Sequence, residues 1–271
     1  VMTEDRVVFT MTNYVTVGSL EEAYALLGKN KSNKILGGTL WMRMGSQTIH
    51  TGIDLSQLGL DQIVENEEDI EIGAMCSLRM IETHPLMNEY FSGIVAESVK
   101  DIVGVQFRNC ATIGGSIYSR FGFSDILTAL LALDTYVELY HGGILSLEDF
   151  IKTPYEKDIL VKIIIKKEQI KGTYQTERLS HTDFPILAVA VTKGQKGYKI
   201  SVGARPSKAA LAYEAMHYLN TRDELGEEML ESAVHKVIEE LNFGSNMRAS
   251  ETYRKHLAKV LIKRSLKTLS Y

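Results

Sequence analysis

Two glycine doublets constrain this chain more than any other feature. They sit in Ile35-Leu36-Gly37-Gly38-Thr39-Leu40 and in Ala111-Thr112-Ile113-Gly114-Gly115-Ser116. Each follows an apolar run and ends in a hydroxyl residue. Glycine reaches φ > 0 and lets a ligand lie directly on exposed N–H groups. Either doublet alone also reads as a plain turn between elements. Together they suit one long anionic ligand gripped from two sides, and a dinucleotide is the natural candidate. Gln106-Phe107-Arg108-Asn109 precedes the second doublet and offers a cation and two amides. Neither doublet has the G-x-G-x-x-G of a Rossmann turn or the Gly-Lys-Ser/Thr of a P-loop.

At 271 residues the chain is long for one domain and short for three. Two domains, or one with two lobes, is the expectation. A net charge of −4 gives no reason to expect nucleic acid or an anionic membrane as partner. No apolar run approaches the ~18 residues of a membrane span, and the N-terminal VMTEDRVVFT lacks a signal-peptide core. The two cysteines, Cys76 and Cys110, are far apart, so a cluster or zinc cage built by this chain alone is not expected. Lone thiols in this context point to a reduced, cytoplasmic protein. Cys110 reads as a small apolar residue packed beside the second doublet. The seven histidines show no metal-ligand spacing, so no metal site is expected.

Ser19-x-x-Glu22 is a capping box that predicts a helix through about Leu27. Strands are predicted leading into Gly37, over 48–55, 69–74, 136–140 and 158–166, with Gly142-Gly143 turning between the last two. Helices are predicted from Ser77 to Pro85, over 91–103 and over 124–133. The charged run at 166–171 marks a boundary. Beyond it come strands at 174–179, 186–192 and 198–204, with a hairpin turn at Gly194–Gly197, then helices at 207–219, 226–242 and 250–269. The last is expected to bury Tyr253, Leu257, Val260, Leu261 and Ile262, with its Lys and Arg side chains outward. Interleaved strands and helices argue for α+β in both parts.

The segments KILGGTLWMRM, QFRNCATIGGSIYSRFGFSDILTALLALD and RASETYRKHLAKVLIKRSL resemble the FAD-binding (medium) subunit of molybdenum hydroxylases of the xanthine, carbon monoxide and nicotinate dehydrogenase type. The resemblance runs from about Tyr14 to Leu269. It implies a two-lobed FAD-binding domain of the vanillyl-alcohol oxidase/PCMH type over 1–168, with lobes at 1–58 and 59–168. A small C-terminal α+β domain, an antiparallel sheet with helices, would occupy 169–271. It implies that Ile35, Leu36, Gly37, Gly38, Thr39 and Leu40, with Ala111, Thr112, Gly114, Gly115 and Ser116, cradle FAD. Asp125 matches an acid expected to bond ribityl or ribose hydroxyls, and reads equally as a helix N-terminal acid. Leu160, after Ile159, and Arg178 match positions against the flavin ring. They read otherwise as sheet core and as a solvated strand charge. Trp41 either packs under the first loop or walls the cofactor.

The partners implied are a molybdopterin-binding large subunit and a [2Fe-2S] small subunit, with electrons leaving to NAD(H) or another acceptor. Rival readings are a stand-alone FAD oxidase or dehydrogenase of the same fold and a non-catalytic assembly protein. This sequence departs from the family at Thr128, where proline is usual, and in the aromatic loop Tyr118–Phe123. Tyr118, Phe121 and Phe123 are expected to be exposed and to anchor a partner, the alternative being that the rings fold back onto the core or the flavin.

Overall fold

The computed structural model describes residues 9–222 and 226–270. The N-terminal residues read above for a signal segment lie mostly outside that range. Strand β1 (Thr10–Thr16), helix α1 (Leu20–Lys29), β2 (Lys34–Leu36), α2 (Leu40–Arg43) and β3 (Thr48–Asp54) form the first lobe. Its sheet is wholly parallel, in the order β1-β3-β2. Helix α1 is entered as the capping box predicts, with Ser19 Oγ accepting from Glu22 N at 3.1 Å. The Glu22 carboxylate closes the box one residue early, on Gly18 N at 2.9 Å. Ala23 and Leu27 then pack on Ile53 and Leu55.

The second lobe holds β4 (Ile63–Glu65), β5 (Asp69–Gly73), α3 (Leu78–Thr83), α4 (Pro85–Glu89), α5 (Ile94–Val99), α6 (Val105–Cys110), α7 (Ile113–Tyr118), α8 (Asp125–Leu131), β6 (Thr135–Leu139), β7 (Gly143–Ser146), α9 (Leu147–Lys152) and β8 (Leu160–Lys166). Its antiparallel sheet has the order β4-β5-β8-β6-β7. Helices α5 and α8 bury Val95, Val99, Leu127 and Leu130 among Ile72, Ile163 and other residues of one core. The chain leaves this sheet at Lys166 and enters the next at Lys171. There β9 (Lys171–Arg178), β10 (Pro185–Gly194), β11 (Gly197–Gly203) and β12 (Ala210–Leu211) make an antiparallel sheet in chain order. Helices α10 (Tyr213–Asn220), α11 (Glu227–Glu240) and α12 (Glu251–Ser270) cover it, and Gly197 turns the β10–β11 hairpin at φ 100°.

Several local expectations are corrected. The helix predicted over 91–103 shrinks to Ile94–Val99, because Phe91 and Ser92 adopt φ near +57° and Gly93 is also left-handed. Pro85 does not merely end α3; it starts α4 at the first helical position, where its missing N–H costs nothing. Gly142-Gly143 turns the chain from β6 into β7, and β8 pairs with the other edge of β6. On α12, Tyr253 is partly exposed and Arg254 is buried, the reverse of the expected pattern. Cys110 is exposed, while Cys76 is the thiol in the core, where burial pushes its pKa up to about 11. No helix among the described residues is long and apolar enough to cross a membrane.

Candidate cofactor cleft

A cleft of about 270 Å³ opens where the three sheets meet. Gly37 and Gly38 border it from the first lobe, Thr112, Gly115 and Ser116 from the second, and Arg178 and Phe184 from the C-terminal sheet. Of the residues read from sequence, Ile35, Gly37, Gly38, Thr39, Leu40, Ala111, Thr112, Gly114, Gly115, Ser116, Asp125, Leu160 and Arg178 all line it. Leu36 does not. It is the last residue of β2 and its side chain turns into the first lobe, against Gly52 of β3.

The two doublets are glycine for a different reason than φ. None of Gly37, Gly38, Gly114 and Gly115 has a positive φ. A Cβ on Gly38 would lie 1.8 Å from the Cys110 carbonyl oxygen, and one on Gly37 would lie 2.7 Å from Thr112 Oγ1. A Cβ on Gly114 would lie 2.6 Å from the Ala74 carbonyl oxygen. Gly37 and Gly38 thus need hydrogen at Cα to admit residues 110–112 of the second loop, while Gly114 needs it to admit the backbone at Ala74. The positive φ falls instead on Thr39, at 59°. A threonine held there costs roughly 1–3 kcal/mol, which the surrounding packing must offset.

The loops also differ in what they offer an anion. Among the described residues, no acceptor faces the N–H of Gly37, Gly38 or Thr39, and no side chain caps α2. Those donors are free to meet charge. The second loop is nearly saturated. Ile113 N donates to the Cys76 carbonyl at 2.9 Å, Gly114 N to the Ala74 carbonyl at 2.8 Å and Ser116 N to the Thr112 carbonyl at 3.1 Å. Gly115 N donates to Thr112 Oγ1 at 3.1 Å. Only Thr112 N–H is left without an acceptor among the described residues. The segment becomes helix α7, docked on residues 74–77, so its glycines supply shape and not a row of donors. The amide-and-cation run before it is withdrawn too. Gln106–Asn109 lies in α6, and the buried Arg108 donates to Glu82 at 2.7 and 3.2 Å and to the Ile102 carbonyl at 3.0 Å.

Asp125 is the one carboxylate buried in the cleft wall, 5% exposed at the first position of α8. Its Oδ1 accepts from Tyr174 Oη at 2.6 Å and from Arg178 Nη2 at 2.6 Å. Its Oδ2 has no bond within the described chain, so it is both a helix N-terminal acid and a free acceptor. Burial outweighs the attraction of Arg178 and lifts its pKa to about 6. Arg178 is not the solvated charge of the alternative reading. Its Nη1 donates to the Asp183 carbonyl at 2.6 Å and its charge is matched by Asp125. Leu160 is both sheet core, 5% exposed at the start of β8, and cleft wall.

The aromatic loop turns inward. Phe121 and Phe123 stack at 5.0 Å and both lie against Trp41, at 5.6 and 5.1 Å between ring centroids. Phe184 completes the cluster, 4.8 Å from Phe123. Tyr118 Oη bonds the Glu156 carbonyl at 2.6 Å and receives Asp158 N at 2.8 Å. These rings wall the cleft rather than standing out for a partner, because the Ala204 N–H bond to the Gly122 carbonyl at 3.0 Å pins the loop to the C-terminal domain. Thr128, in place of the usual proline, is fully buried and bonds the Ser124 carbonyl at 3.0 Å. His181, two residues before Asp183, pairs with Asp101 at 3.1 Å.

Two cationic cleft residues escape the sequence reading. Lys34 immediately precedes the first apolar run, a position that hints at an anion but is common on strands. Lys157 lies in a segment without periodicity and donates to the Leu27 and Asn30 carbonyls at 3.3 and 2.9 Å, joining α1 to the second lobe.

The family model for the FAD binding domain in molybdopterin dehydrogenase matches residues 9–167. The model for the CO dehydrogenase flavoprotein C-terminal domain matches residues 173–269. The chain is 29% identical over 215 residues to the uncharacterised protein YgfM of Escherichia coli, covering 78% of this chain and 76% of that one. It is 24% identical to the glyceraldehyde dehydrogenase medium chain of Sulfolobus acidocaldarius, covering 95% and 98% of the two chains. Its fold is similar to a chain of carbon monoxide dehydrogenase from Hydrogenophaga pseudoflava, with a TM-score of 0.87 at 22% identity over 96% and 97% of the two chains.

Proposed function

The chain belongs to the family of FAD binding domains in molybdopterin dehydrogenases, and from that premise we propose how it holds its cofactor and where its electrons travel. It is an FAD-binding flavoprotein subunit of an oxidoreductase. The observation that carries the site assignment is the set of unpartnered N–H groups at Gly37, Gly38 and Thr39, set across the cleft from Thr112. Backbone donors held in place can compensate two phosphate charges where few cations are present, and Lys34 adds one cation beside them. Asp125 Oδ2 accepts from a cofactor hydroxyl. Leu160 would offer the flavin an apolar wall. The Arg178–Asp125 pair sets the charge beside it. Trp41, Phe123 and Phe184 exclude water from the same end.

FAD bound here would accept electrons one at a time from an iron–sulfur cluster and hand them on singly or as a hydride. No residue of this chain has to act as a catalytic acid. The cleft suits that role, since its one buried carboxylate is tied through Oδ1 to Arg178 and Tyr174. The electrons arrive from a [2Fe-2S] small subunit, fed by a molybdopterin-binding large subunit, and leave to NAD⁺ or another acceptor. The FAD-binding domain spans 1–168, with lobes at 1–58 and 59–168, and the C-terminal domain spans 169–271. The complex is cytoplasmic. A stand-alone oxidase would need its own substrate-binding base beside the cleft, and the carboxylates that line it are engaged: Asp125 by Arg178, Asp158 by the His141 and Gly142 N–H groups, and Asp183 by Phe184 N.

No histidine or cysteine lines the cleft among the described residues, so the flavin is held non-covalently. The purified chain is expected to be yellow, and acid precipitation should leave all the flavin in the supernatant. A colourless protein that takes up no added FAD would sink the site assignment, and flavin in the pellet would sink the non-covalent reading. Copurification with two further chains, one cysteine-rich, separates the subunit from the stand-alone oxidase.

A further inference from the structure

The C-terminal Arg248…Arg254 run is singled out by the sequence, yet neither residue lines the cleft. Arg254 is 1% exposed on the first turn of α12. Its guanidinium makes four hydrogen bonds and none to a carboxylate. Nε donates to the Ile186 carbonyl at 2.9 Å, Nη1 to the Gly244 and Ala249 carbonyls at 2.8 and 2.7 Å, and Nη2 to Asn246 Oδ1 at 2.7 Å. Asn246 Oδ1 also accepts from Arg248 N at 2.9 Å. The same loop is held from its other side by Arg205, also buried. Gly244 N donates to the Arg205 carbonyl at 2.6 Å, while the Arg205 guanidinium donates to the carbonyls of Val202, Asn242 and Lys208 at 3.1, 2.5 and 2.8 Å.

Burying two guanidinium groups without counter-charge is an expensive way to tie down one loop. Apolar packing commonly gives as much stability or more. What the arrangement secures is position. The loop sets Arg248 with its guanidinium carbon 4.9 Å over the Phe184 ring and Nη2 3.6 Å from Asp183 Oδ1. Phe184 belongs to the aromatic wall around Trp41. The Asp183 carbonyl holds Arg178, which holds Asp125. The contacts therefore run unbroken from the core of the C-terminal domain to the charged and aromatic walls of the cleft.

We propose that Arg254 is a positioning residue for the cleft: by fixing the 244–249 loop it seats Arg248 on Asp183 and Phe184, and so sets the aromatic wall and the Arg178–Asp125 pair. Only the effect on FAD rests on the function proposed above. The placement of the wall does not. Arginine is required for its fork of donors, since a lysine ammonium cannot span acceptors on three sides.

Trp41 is the chain's sole tryptophan and lies 5.6 Å from Phe184, so its emission reports on the wall directly. The test compares Arg254→Lys and Arg248→Ala with the wild-type full chain. It reads Trp41 emission without cofactor, FAD affinity by titration, and the thermal midpoint. Arg248 lies on a partly exposed loop, so Arg248→Ala is expected to keep its midpoint, shift Trp41 emission to the red and weaken FAD about tenfold, the loss typical of a removed outer-shell support. Arg254→Lys should show both changes with a lower midpoint. If it does not fold, Arg248→Ala carries the test alone. The proposal is overturned if Arg254→Lys lowers the midpoint with wild-type emission and affinity, or if Arg248→Ala matches wild type in both. A wild-type chain that binds no FAD would defeat the cofactor reading instead, leaving the emission shift to decide the positioning role.

Discussion

Gly38→Ala is expected to unfold the junction between the two lobes, although it adds a single methyl group. That carbon would sit 1.8 Å from the Cys110 carbonyl oxygen and 2.5 Å from its carbon, both backbone atoms that no rotamer change can move aside. One of the two loops must back away. Overpacking of this kind costs about 3 kcal/mol, or roughly 5–10 °C in thermal midpoint for a chain of this size. FAD should be lost with it, since the same movement displaces the free N–H groups of Gly37 and Thr39. Gly115→Val is the control. Gly115 is exposed to the cleft, and its nearest neighbour for a Cβ is Thr112 Oγ1 at 3.2 Å. That variant should fold with a near-native circular dichroism spectrum and lose FAD, because the branched side chain fills cofactor space. A Gly38→Ala protein with a wild-type midpoint would mean the loops do not interlock as described. Full FAD content in Gly115→Val would remove the second loop from the binding site.

Asp125→Ala carries the other large effect. It strips the counter-charge from Arg178 and the acceptor from the fully buried Tyr174 hydroxyl. Breaking one side of a buried pair costs about 3–5 kcal/mol, measurable by denaturant unfolding of the cofactor-free chain. The pH dependence has a definite sign. The folded pKa of Asp125 is raised from the usual carboxylate value of 3.8 to about 6. The folded state thus binds the proton more tightly than the unfolded chain. The stability that Asp125 contributes is fully present below about 4 and is lost progressively as pH rises through 6. The gap between wild type and Asp125→Ala should therefore narrow from pH 4 to pH 7. FAD affinity should run the other way, because the ionised carboxylate is the stronger acceptor for a cofactor hydroxyl. Wild-type affinity should fall below pH 6, and Asp125→Ala should show no such inflection. A gap that widens with pH, or an inflection that survives in the variant, would remove Asp125 from this role.

Much of the molecule was legible along the chain. The Ser19 capping box, the alternation of β5, the Ser124 cap of α8 and the Gly194–Gly197 hairpin are local devices, each decided within a few residues by backbone sterics and nearby hydrogen bonds. The helix expected over 91–103 failed because three consecutive residues take left-handed φ, a choice made by packing that no local propensity announces. The inward turn of Phe121 and Phe123 was hidden for a similar reason: three of their ring contacts are to Trp41 and Phe184, far away in sequence.

The chain by itself determined the family, the α+β class and most of the residues that line the cleft, because glycine doublets and the segments around them are patterns of adjacent residues. Only the tertiary structure decided what those residues do there. It made Gly38 a contact between loops, left the first loop's N–H groups free while spending the second's on Ala74, Cys76 and Thr112, and removed Arg108 to a partner in α3. It also turned Arg178 from a strand charge into the counter-ion of Asp125 and buried Arg254 behind the cleft wall. The physical reason is the same in each case. Whether a donor, charge or ring is available depends on the groups that meet it across the fold, and the deciding partners of Gly38, Arg108 and Arg178 (Cys110, Glu82 and Asp125) lie tens of residues away.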